Sequence, residues 1–295
     1  MVINKNFKEE FEKHLIEEEK EKVKIILKGQ YKKAFDILED AENSELTPIL
    51  VGPPGVGKTL LIRYFAQKRN KKFYWQTFDE STKPAHFIGS FDPAITIKDG
   101  FKIGSFLPGP LTLGMINGGY YLANEINRAT EYTQNSFLEP LEERSLFIPR
   151  LGRIKANKDF MFMASMNPAE LAGTHRISEA LKDRIKVWIN LKYPKKETEI
   201  EIIRMNCSNW KVPEDALDKI YQIIRQSRNN PDIEQPASIR TGIALTRLYS
   251  EQLKDNDPSD KKLKEIATYV LPGSIKTRPG IDPNKLSKSI LDSIL

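Results

Sequence analysis

Residues 52–59 constrain the fold of this chain more than any other feature of its sequence. They read Gly-Pro-Pro-Gly-Val-Gly-Lys-Thr, which fits the pattern G-x-x-x-x-G-K-[ST]. A short apolar run, 49–51, precedes them, and a helical pattern follows from Leu60 to Ala66. A glycine-rich loop between a buried strand and a helix is the context in which this pattern binds phosphate. The sequence therefore predicts an α/β fold with a triphosphate-binding loop.

The residue types in this loop explain how it would hold phosphate. Glycines let the backbone curl, so that successive N–H groups and the amino end of the next helix face the phosphates. Lys58 adds a positive charge at the β and γ phosphates, and the Thr59 hydroxyl is a ligand for Mg²⁺. The predicted nucleotide-binding residues are Gly52, Pro53, Pro54, Gly55, Val56, Gly57, Lys58, Thr59 and Leu60. Because all nucleotides share these phosphates, the loop alone does not distinguish ATP from GTP.

Short apolar runs alternate with helical or loop segments on both sides of this loop. Besides 49–51, they predict strands at 73–75, 120–123, 160–164 and 187–191. Buried strands that alternate with helices are typical of a largely parallel sheet covered by helices on both faces.

Three other segments of the first 193 residues have patterns of their own. Residues 7–42 have apolar side chains at helical spacing and predict one or two amphipathic helices. The segment 95–103 contains Asp99-Gly100, a hairpin signal, and predicts a hairpin insert at about 94–105. A second small hairpin is expected over 145–155.

The strand pattern ends at Tyr193-Pro194, and helical patterns follow at 198–205, 214–224, 238–253 and 262–271. The Pro- and Gly-containing stretch 272–283 is expected to be a loop. We therefore predict two domains, a nucleotide-binding core over 1–193 and a small all-helical lid over 194–295.

Composition limits the class of protein. The net charge of +6 arises from 46 basic and 40 acidic residues that are interspersed, so nucleic acid or an acidic protein is permitted as a partner but not required. Cys207 is the only cysteine, which excludes an internal disulfide, and His14, His86 and His175 are too scattered for a zinc cluster. The sequence has no signal-peptide pattern and no run of about 18 apolar residues. We expect a cytoplasmic protein without a membrane span.

An acidic residue follows the strand predicted at 120–123. Glu125 at the strand end is placed to polarise an attacking water beside the phosphates. Asn124 stands before it, where an aspartate is expected. Its amide oxygen can still accept a hydrogen bond from a metal-bound water but carries no charge, so we expect Mg²⁺ to be held less firmly. Thr59 and Asn124 are the predicted metal-site residues.

A polar amide follows the strand predicted at 160–164. Asn167 precedes Pro168 at its carboxyl end, close to the expected position of the γ phosphate. Asn-Pro also opens ordinary loops. The position of Asn167 in the chain, after the phosphate loop and the acidic strand, favours a place in the site.

Taken together, these motifs resemble the MoxR group of AAA+ ATPases, and the GvpN and CbbQ groups share much of the pattern. The resemblance covers about 20–250 and rests on motifs in the family's order, at 109–111, 118–129, 138–143, 166–168 and 181–185. It implies a P-loop AAA+ core followed by a helical lid, and ATP as the nucleotide. The Asp-Glu pair of the family is Asn124-Glu125 here.

The resemblance also implies roles that spacing does not assign. Asn167 resembles the sensor that orients the attacking water, and Arg184 resembles an arginine finger that acts in a neighbouring subunit's site. Arg240 resembles the lid arginine that touches the nucleotide. Taken alone, either arginine reads as a surface ion pair. By resemblance the chain forms a ring, a hexamer, and acts on a protein client such as one with a von Willebrand factor A domain, with the hairpin insert near a central pore.

Three functions are compatible with these patterns. The leading hypothesis is a ring-forming ATP hydrolase that remodels a protein, with Glu125, Asn167 and Arg184 as catalytic residues. A second is a nucleotide-gated scaffold with little turnover, because Asn124 weakens the metal site. A third is a nucleic-acid translocase, which is disfavoured because no zinc finger, helix-turn-helix pattern or arginine-rich strip accompanies the core.

Overall fold

Strands and helices alternate along the chain in the computed structural model, which describes residues 22–168, 176–209, 212–253 and 259–295. The strands are β1 (Pro48–Val51), β2 (Phe73–Thr77), β3 (Gly89–Phe91), β4 (Phe106–Pro108), β5 (Tyr120–Asn124), β6 (Ser145–Ile148), β7 (Gly152–Lys155), β8 (Met161–Met166), β9 (Val187–Asn190), β10 (Ile233–Gln235) and β11 (Lys276–Thr277). The helices are α1 (Gln30–Asn43), α2 (Lys58–Lys68), α3 (Pro84–Ile88), α4 (Pro93–Asp99), α5 (Pro110–Asn117), α6 (Glu131–Asn135), α7 (Leu138–Glu142), α8 (Glu179–Arg184), α9 (Lys196–Asn206), α10 (Glu214–Asn229), α11 (Ile239–Gln252), α12 (Asp260–Val270) and α13 (Pro283–Asp292). Short 3-10 turns lie at Ile103–Ser105, Ile126–Arg128 and Pro272–Ser274.

The central sheet has the strand order β2-β5-β8-β1-β9, and its neighbouring strands are parallel. This confirms the predicted parallel sheet and its five strands. Since parallel strands share a direction, the carboxyl ends of β1, β5 and β8 lie at one edge. The phosphate loop, Glu125 and Asn167 all follow strands that end at this edge.

Alternate residues of the strands enter two separate apolar clusters, one on each face of the sheet. Tyr121 and Phe162 pack in one cluster, whereas Tyr120 and Met163 pack in the other with side chains of α1 and α2. Both faces of the sheet are therefore buried, which explains why β5 and β8 are nearly continuous apolar runs and do not alternate between apolar and polar residues.

The amino-terminal helices predicted over 7–42 are only partly within the described residues, because the structure describes nothing before Lys22. Residues 22–28 are irregular, and α1 begins at Gln30. The apolar residues at 23, 26 and 27 therefore do not mark a helix.

The hairpin predicted over 95–103 is wrong. The structure has α4 and a 3-10 turn in this segment, and the antiparallel pair is β3 with β4, at its two ends. Asp92 starts α4 by accepting hydrogen bonds from the N–H groups of Ala94 and Ile95, and Pro93 suits the first helical turn. Gly100, with φ of 79°, follows the last helical residue, so Asp99-Gly100 ends a helix and does not join two strands. The second predicted hairpin is confirmed, since β6 and β7 pair from Ser145↔Lys155 to Ile148↔Gly152.

Residues after Tyr193 are mainly helical, as predicted, but not wholly so. Strand β10 pairs antiparallel with β11, which lies in the stretch 272–283 expected to be only a loop, and α13 follows. Asp282 caps α13 by accepting from the N–H of Asn284. A cluster that includes Ile220, Leu245 and Leu291 gives these helices an apolar core of their own. We propose on this basis that the chain divides into domains 1–193 and 194–295.

Candidate functional site

A cavity lies at the carboxyl edge of the sheet, between the phosphate loop and the helices that follow Tyr193. Its walls include Gly55 to Leu60 of the loop and α2, together with Asn124, Glu125, Asn167 and Arg240. Apolar residues from three other segments complete the wall, namely Ile25, Ile26, Tyr31, Ile202, Met205, Ile239 and Ile243. The cavity is thus lined by both polar and apolar side chains, which suits the phosphates and the base of a nucleotide.

Two glycines of the loop are required by close approaches of other chain segments. A Cβ at Gly55 would lie 2.7 Å from the Cβ of Ser238, and φ at this position is +72°. A Cβ at Gly52 would lie 2.5 Å from the carbonyl oxygen of Leu191. Gly57 has φ of 94° and immediately precedes the first residue of α2. The loop can therefore curl tightly against both β9 and the start of α11.

Two tyrosines outside the loop fix its carbonyl groups. The hydroxyl of Tyr31, from α1, donates to the carbonyl oxygen of Val56 at 3.0 Å. The hydroxyl of Tyr193 donates to the carbonyl oxygen of Pro54 at 3.1 Å. These two hydrogen bonds hold the backbone of the loop in place beside the cavity. Sequence reasoning did not find either tyrosine, since neither lies in a recognisable motif.

Lys58 is buried, and its ammonium is held entirely by neutral oxygens. It donates to the carbonyl oxygens of Gly52 at 2.7 Å and Pro53 at 3.0 Å, and to Asn167 Oδ1 at 2.8 Å. Burial lowers the pKa of Lys58 from 10.5 to about 8, the Glu125 carboxylate opposes this decrease, and the Arg240 guanidinium adds to it. A phosphate would supply the negative charge that this ammonium lacks among its hydrogen-bond partners.

The side chain of Asn124 is fully engaged at the end of β5. Its Oδ1 accepts from Thr59 Oγ1 at 2.9 Å and from Ser165 Oγ at 2.7 Å, and its Nδ2 donates to Thr77 Oγ1 at 3.0 Å. Thr59 gives its hydrogen to the amide, so the lone pairs of its oxygen stay available. This donor set fits Mg²⁺, with Thr59 as the oxygen ligand and Asn124 as its neutral support.

Glu125 adopts the left-handed backbone conformation, with φ of 56° and ψ of 40°. A non-glycine residue held there is uncommon and strained, and such residues cluster at functional sites. The carboxylate lines the cavity and pairs with Arg128 Nε at 2.8 Å. It can accept a proton from water in the cavity once it exchanges this partner.

Asn167 is buried, and two contacts fix it. Its Oδ1 accepts from Lys58, and its main-chain oxygen accepts from Nδ2 of Asn127 at 3.0 Å. Asn127 is completely buried, and its Oδ1 has no hydrogen-bond partner among the described residues. Sequence reasoning did not single out Asn127, although it stands two residues after Glu125.

The two arginines lie in different places. Arg240 is in the first turn of α11 and lines the cavity, and its N–H donates to Ser238 Oγ at 3.2 Å. Arg184 ends α8 and is not among the residues that line the cavity. Its guanidinium pairs with Glu142, donates to the carbonyl oxygen of Ala180 at 2.8 Å, and keeps 25% of its side chain exposed.

The structure thus brings together most of the predicted site residues and leaves out Arg184. Gly52 and Pro53 do not line the cavity but hold Lys58 from behind. The remaining predicted residues line it, namely Pro54, Gly55, Val56, Gly57, Lys58, Thr59, Leu60, Asn124, Glu125, Asn167 and Arg240.

Known proteins resemble this chain in sequence and in fold. Residues 48–185 match the family described as AAA domain (dynein-related subfamily). The Gas vesicle ATPase GvpN of Haloferax mediterranei is 26% identical in an alignment 243 residues long, which covers 77% of this chain and 67% of that protein. Chaperone MoxR1 of Mycobacterium tuberculosis is 35% identical over 156 residues, which are 52% of this chain and 38% of that protein.

Residues 48–185 thus carry an AAA domain, and the chain is similar to the gas vesicle ATPases and to the MoxR1 chaperone. A solved structure of NtrX from Brucella abortus agrees in fold, with a TM-score of 0.59 and 16% identity over 97% of this chain and 65% of that one. The family match begins at β1 and ends after α8, so it contains the loop, Glu125, Asn167 and Arg184 but not Arg240.

In the described ranges, no helix combines the length and the apolar character needed to cross a bilayer. Within the same ranges, no three or more His, Cys, Asp and Glu side chains group as metal ligands. His14 and His175 lie outside the described residues.

Proposed function

We propose that this chain is an AAA+ ATPase of the MoxR and GvpN type that assembles into a ring, with six subunits as its expected number, and couples ATP hydrolysis to the remodelling of a partner protein. The observation that carries the proposal is the division of the predicted residues. Lys58, Glu125, Asn167 and Arg240 meet at one cavity, whereas Arg184 lies outside it on a partly exposed surface. A site whose own chain lacks the last arginine is complete only when a second copy supplies it. A cytoplasmic location, favoured by the single cysteine, belongs to the same proposal.

The residues of the cavity divide the chemistry among them. The loop N–H groups and Lys58 hold the β and γ phosphates, and Lys58 exchanges its carbonyl partners for phosphate oxygens. Glu125 leaves Arg128 and accepts a proton from the attacking water, while Asn167 orients that water. Thr59, supported by Asn124, would hold Mg²⁺, which when bound neutralises charge on the phosphates.

Support for a protein client comes from the insert, defined as residues 89–108. Helix α4 buries none of its residues, and Ile97 and Ile103 are 88% and 83% exposed. Large apolar side chains that find no core within their own chain are typical of a surface that contacts another protein. We propose that the insert contacts the client, with a von Willebrand factor A domain as one expected type. The name of MoxR1, which calls that protein a chaperone, agrees with this assignment.

One mixing experiment tests hydrolysis and ring formation together. Glu125→Gln should bind ATP but release phosphate at least about 100-fold more slowly, because the base is lost. Arg184→Ala should also release phosphate at least about 100-fold more slowly, because the arginine that stabilises the transition-state charge is lost. Mixing the two proteins creates interfaces where an intact Glu125 faces an intact Arg184, so phosphate release should recover in part.

Two control variants accompany the mixture. Glu131→Gln changes an exposed carboxylate that does not line the cavity, and Arg204→Ala removes an arginine paired with Glu214 at the surface. Both should hydrolyse ATP like the unaltered protein. No phosphate release by the unaltered protein under any assembly condition contradicts the hydrolase, and no recovery in the mixture contradicts the shared site.

A second candidate is a nucleotide-gated scaffold, which one observation favours. Asn124 meets Thr59 with a neutral amide, so the metal site lacks the charge of a carboxylate. Asn124→Asp should lower the Mg²⁺ concentration needed for half-maximal phosphate release. A large rise of the maximal rate as well would favour the scaffold for the natural chain. An unchanged maximal rate would show that the amide already suffices for turnover.

A further inference from the structure

A buried ion pair connects two helices behind the cavity. Arg228 of α10 donates to both carboxylate oxygens of Glu199 of α9, at 2.6 and 2.7 Å. The Glu199 side chain is completely buried, and that of Arg228 is 12% exposed. Removing two charges from water is costly, and an apolar pair of similar size often serves stability as well. The presence of this pair therefore calls for a reason other than stability.

The same guanidinium makes two further contacts. One is with Tyr193, which hydrogen-bonds to the phosphate loop, and the other is with Ala237, beside the start of α11. Its Cζ atom lies over the Tyr193 ring, 3.7 Å from the ring centre. Its Nε donates to the carbonyl oxygen of Ala237 at 3.3 Å. Ala237 directly precedes Ser238, the residue that begins the helix of Arg240. An arginine can combine a two-oxygen contact with a stacked ring, whereas a lysine cannot.

Tyr193 carries the connection on to the phosphate loop. Its hydroxyl donates to the carbonyl oxygen of Pro54 at 3.1 Å, and Pro54 precedes Gly55. Gly55 in turn lies so close to Ser238 that a Cβ there would contact it at 2.7 Å. The loop and the start of α11 therefore touch each other directly and are also linked through Arg228, which contacts Tyr193 and Ala237.

We propose that Arg228 and Tyr193 are positioning residues that set the phosphate loop and Arg240 in register with each other. This inference rests on the proposed function, because it assigns regulation to the same nucleotide site. Neither residue lines the cavity, so both act through other groups, Tyr193 through the Pro54 carbonyl and Arg228 through Ala237 and Tyr193. The pair makes the loop and the lid arginine respond to the nucleotide as one unit.

Tyr193→Phe is the sharpest test, because it removes one hydroxyl and keeps the ring on which Arg228 stacks. We expect binding of a fluorescent ADP analogue to weaken about five-fold, the value of one ordinary hydrogen bond. The matched control is Tyr249→Phe, which removes a hydroxyl bonded to the backbone of Ser259, away from the loop. The control should bind within about two-fold of the unaltered protein and shows what loss of a structural tyrosine hydroxyl does.

Coupling between the loop and the lid is tested with Arg240→Ala. If the two act as one unit, Arg240→Ala should weaken binding by a smaller factor when Tyr193 is already phenylalanine than when it is intact. Arg228→Lys, which keeps the charge but loses the fork and the stacking, should reduce that factor in the same way. Should Arg228→Lys fail to fold, the Tyr193 series alone decides.

The outcomes separate this inference from the function on which it rests. A Tyr193→Phe protein that melts at a lower temperature but keeps its nucleotide affinity and its KM for ATP would overturn the inference. Factors that simply multiply in the double variant would overturn it too. Failure of the unaltered protein to bind nucleotide or release phosphate would instead contradict the proposed function.

Discussion

The cavity at the carboxyl edge of the sheet, called the edge below, and the insert (residues 89–108) differ in whether their side chains find partners within the chain. At the edge, Lys58 is buried and bonded to three oxygens, and the amide of Asn124 uses both of its ends. In the insert, Ile97 and Ile103 lie almost fully in solvent, and α4 has no buried residue. The side chains of the first region find hydrogen-bond partners within their own chain, whereas the second exposes apolar surface that its own chain does not cover.

The free energy of binding therefore has different sources at the two regions. Side chains that hydrogen bonds already hold lose little conformational entropy when a nucleotide binds beside them. An exposed apolar surface gains by losing contact with water when a partner covers it. Changes at the edge should therefore alter nucleotide chemistry, and changes in the insert should leave both nucleotide chemistry and folding stability intact.

The largest expected difference between the two regions is in stability. Leu122→Ala, in the buried strand β5, should lower the free energy of unfolding by about 2–5 kcal/mol, because it leaves a cavity in a packed core. Ile97→Ala should change it by no more than about 0.5 kcal/mol. Urea unfolding followed by circular dichroism measures both. A large loss for Ile97→Ala would show that the insert is part of the core after all.

The next difference concerns nucleotide affinity. Lys58→Ala should weaken binding of an ADP analogue about 100-fold or more, since it removes a buried cation from the phosphate site. The double variant Ile97→Ser and Ile103→Ser should keep the affinity and the basal rate of phosphate release within about two-fold. Fluorescence titration and a phosphate-release assay compare them. Equal losses in both proteins would erase the distinction between the edge and the insert.

The smallest effect concerns pH and comes from the lowered pKa of Lys58. Below its pKa of about 8 the ammonium is charged in the free protein, and binding needs no added proton. Above that pH the free lysine is neutral, and bound phosphate favours its charged form, so binding must take up a proton. Affinity should therefore fall by up to about ten-fold per pH unit above pH 8.

A matched variant isolates the contribution of that lysine. Lys58→Arg should bind more weakly but without this pH slope, because arginine stays charged throughout the range. Titrations of an ADP analogue at several pH values measure both proteins. The same slope in Lys58→Arg would assign the effect to another group.

Much of the fold could be predicted because its strands are short apolar runs between helical segments. The prediction for the insert is wrong, because Asp99-Gly100 is typical of a hairpin turn but ends a helix here. The sequence Asp92-Pro93 held the contrary signal, a helix cap followed by a proline. Strand β11 has only two residues and no periodicity, so no pattern could reveal it.

The candidate site was predictable to the extent that its residues lie in local motifs. The loop, Glu125, Asn167 and Arg240 were identified in this way, and the roles assigned to them remain proposals. Tyr31 and Tyr193 reach the loop from 25 and 139 residues away, and their contribution depends on tertiary contacts that leave no trace in local sequence. Arg228 could not be predicted for the same reason, because its partners lie on separate segments of the chain.

The strand order has a consequence for how this protein survives in the cell. Strand β1, which leads into the loop, is flanked by β8 and β9, whose residues follow it by more than 100 positions. Pairings between such distant segments cost loop-closure entropy and slow folding, and the site exists only in the folded form that contains them. A ligand that binds only this form stabilises it, by about 2.7 kcal/mol at a concentration one hundred times its Kd. The cellular concentration of the nucleotide would then help to determine how fast the protein is degraded, because proteases cleave the unfolded form.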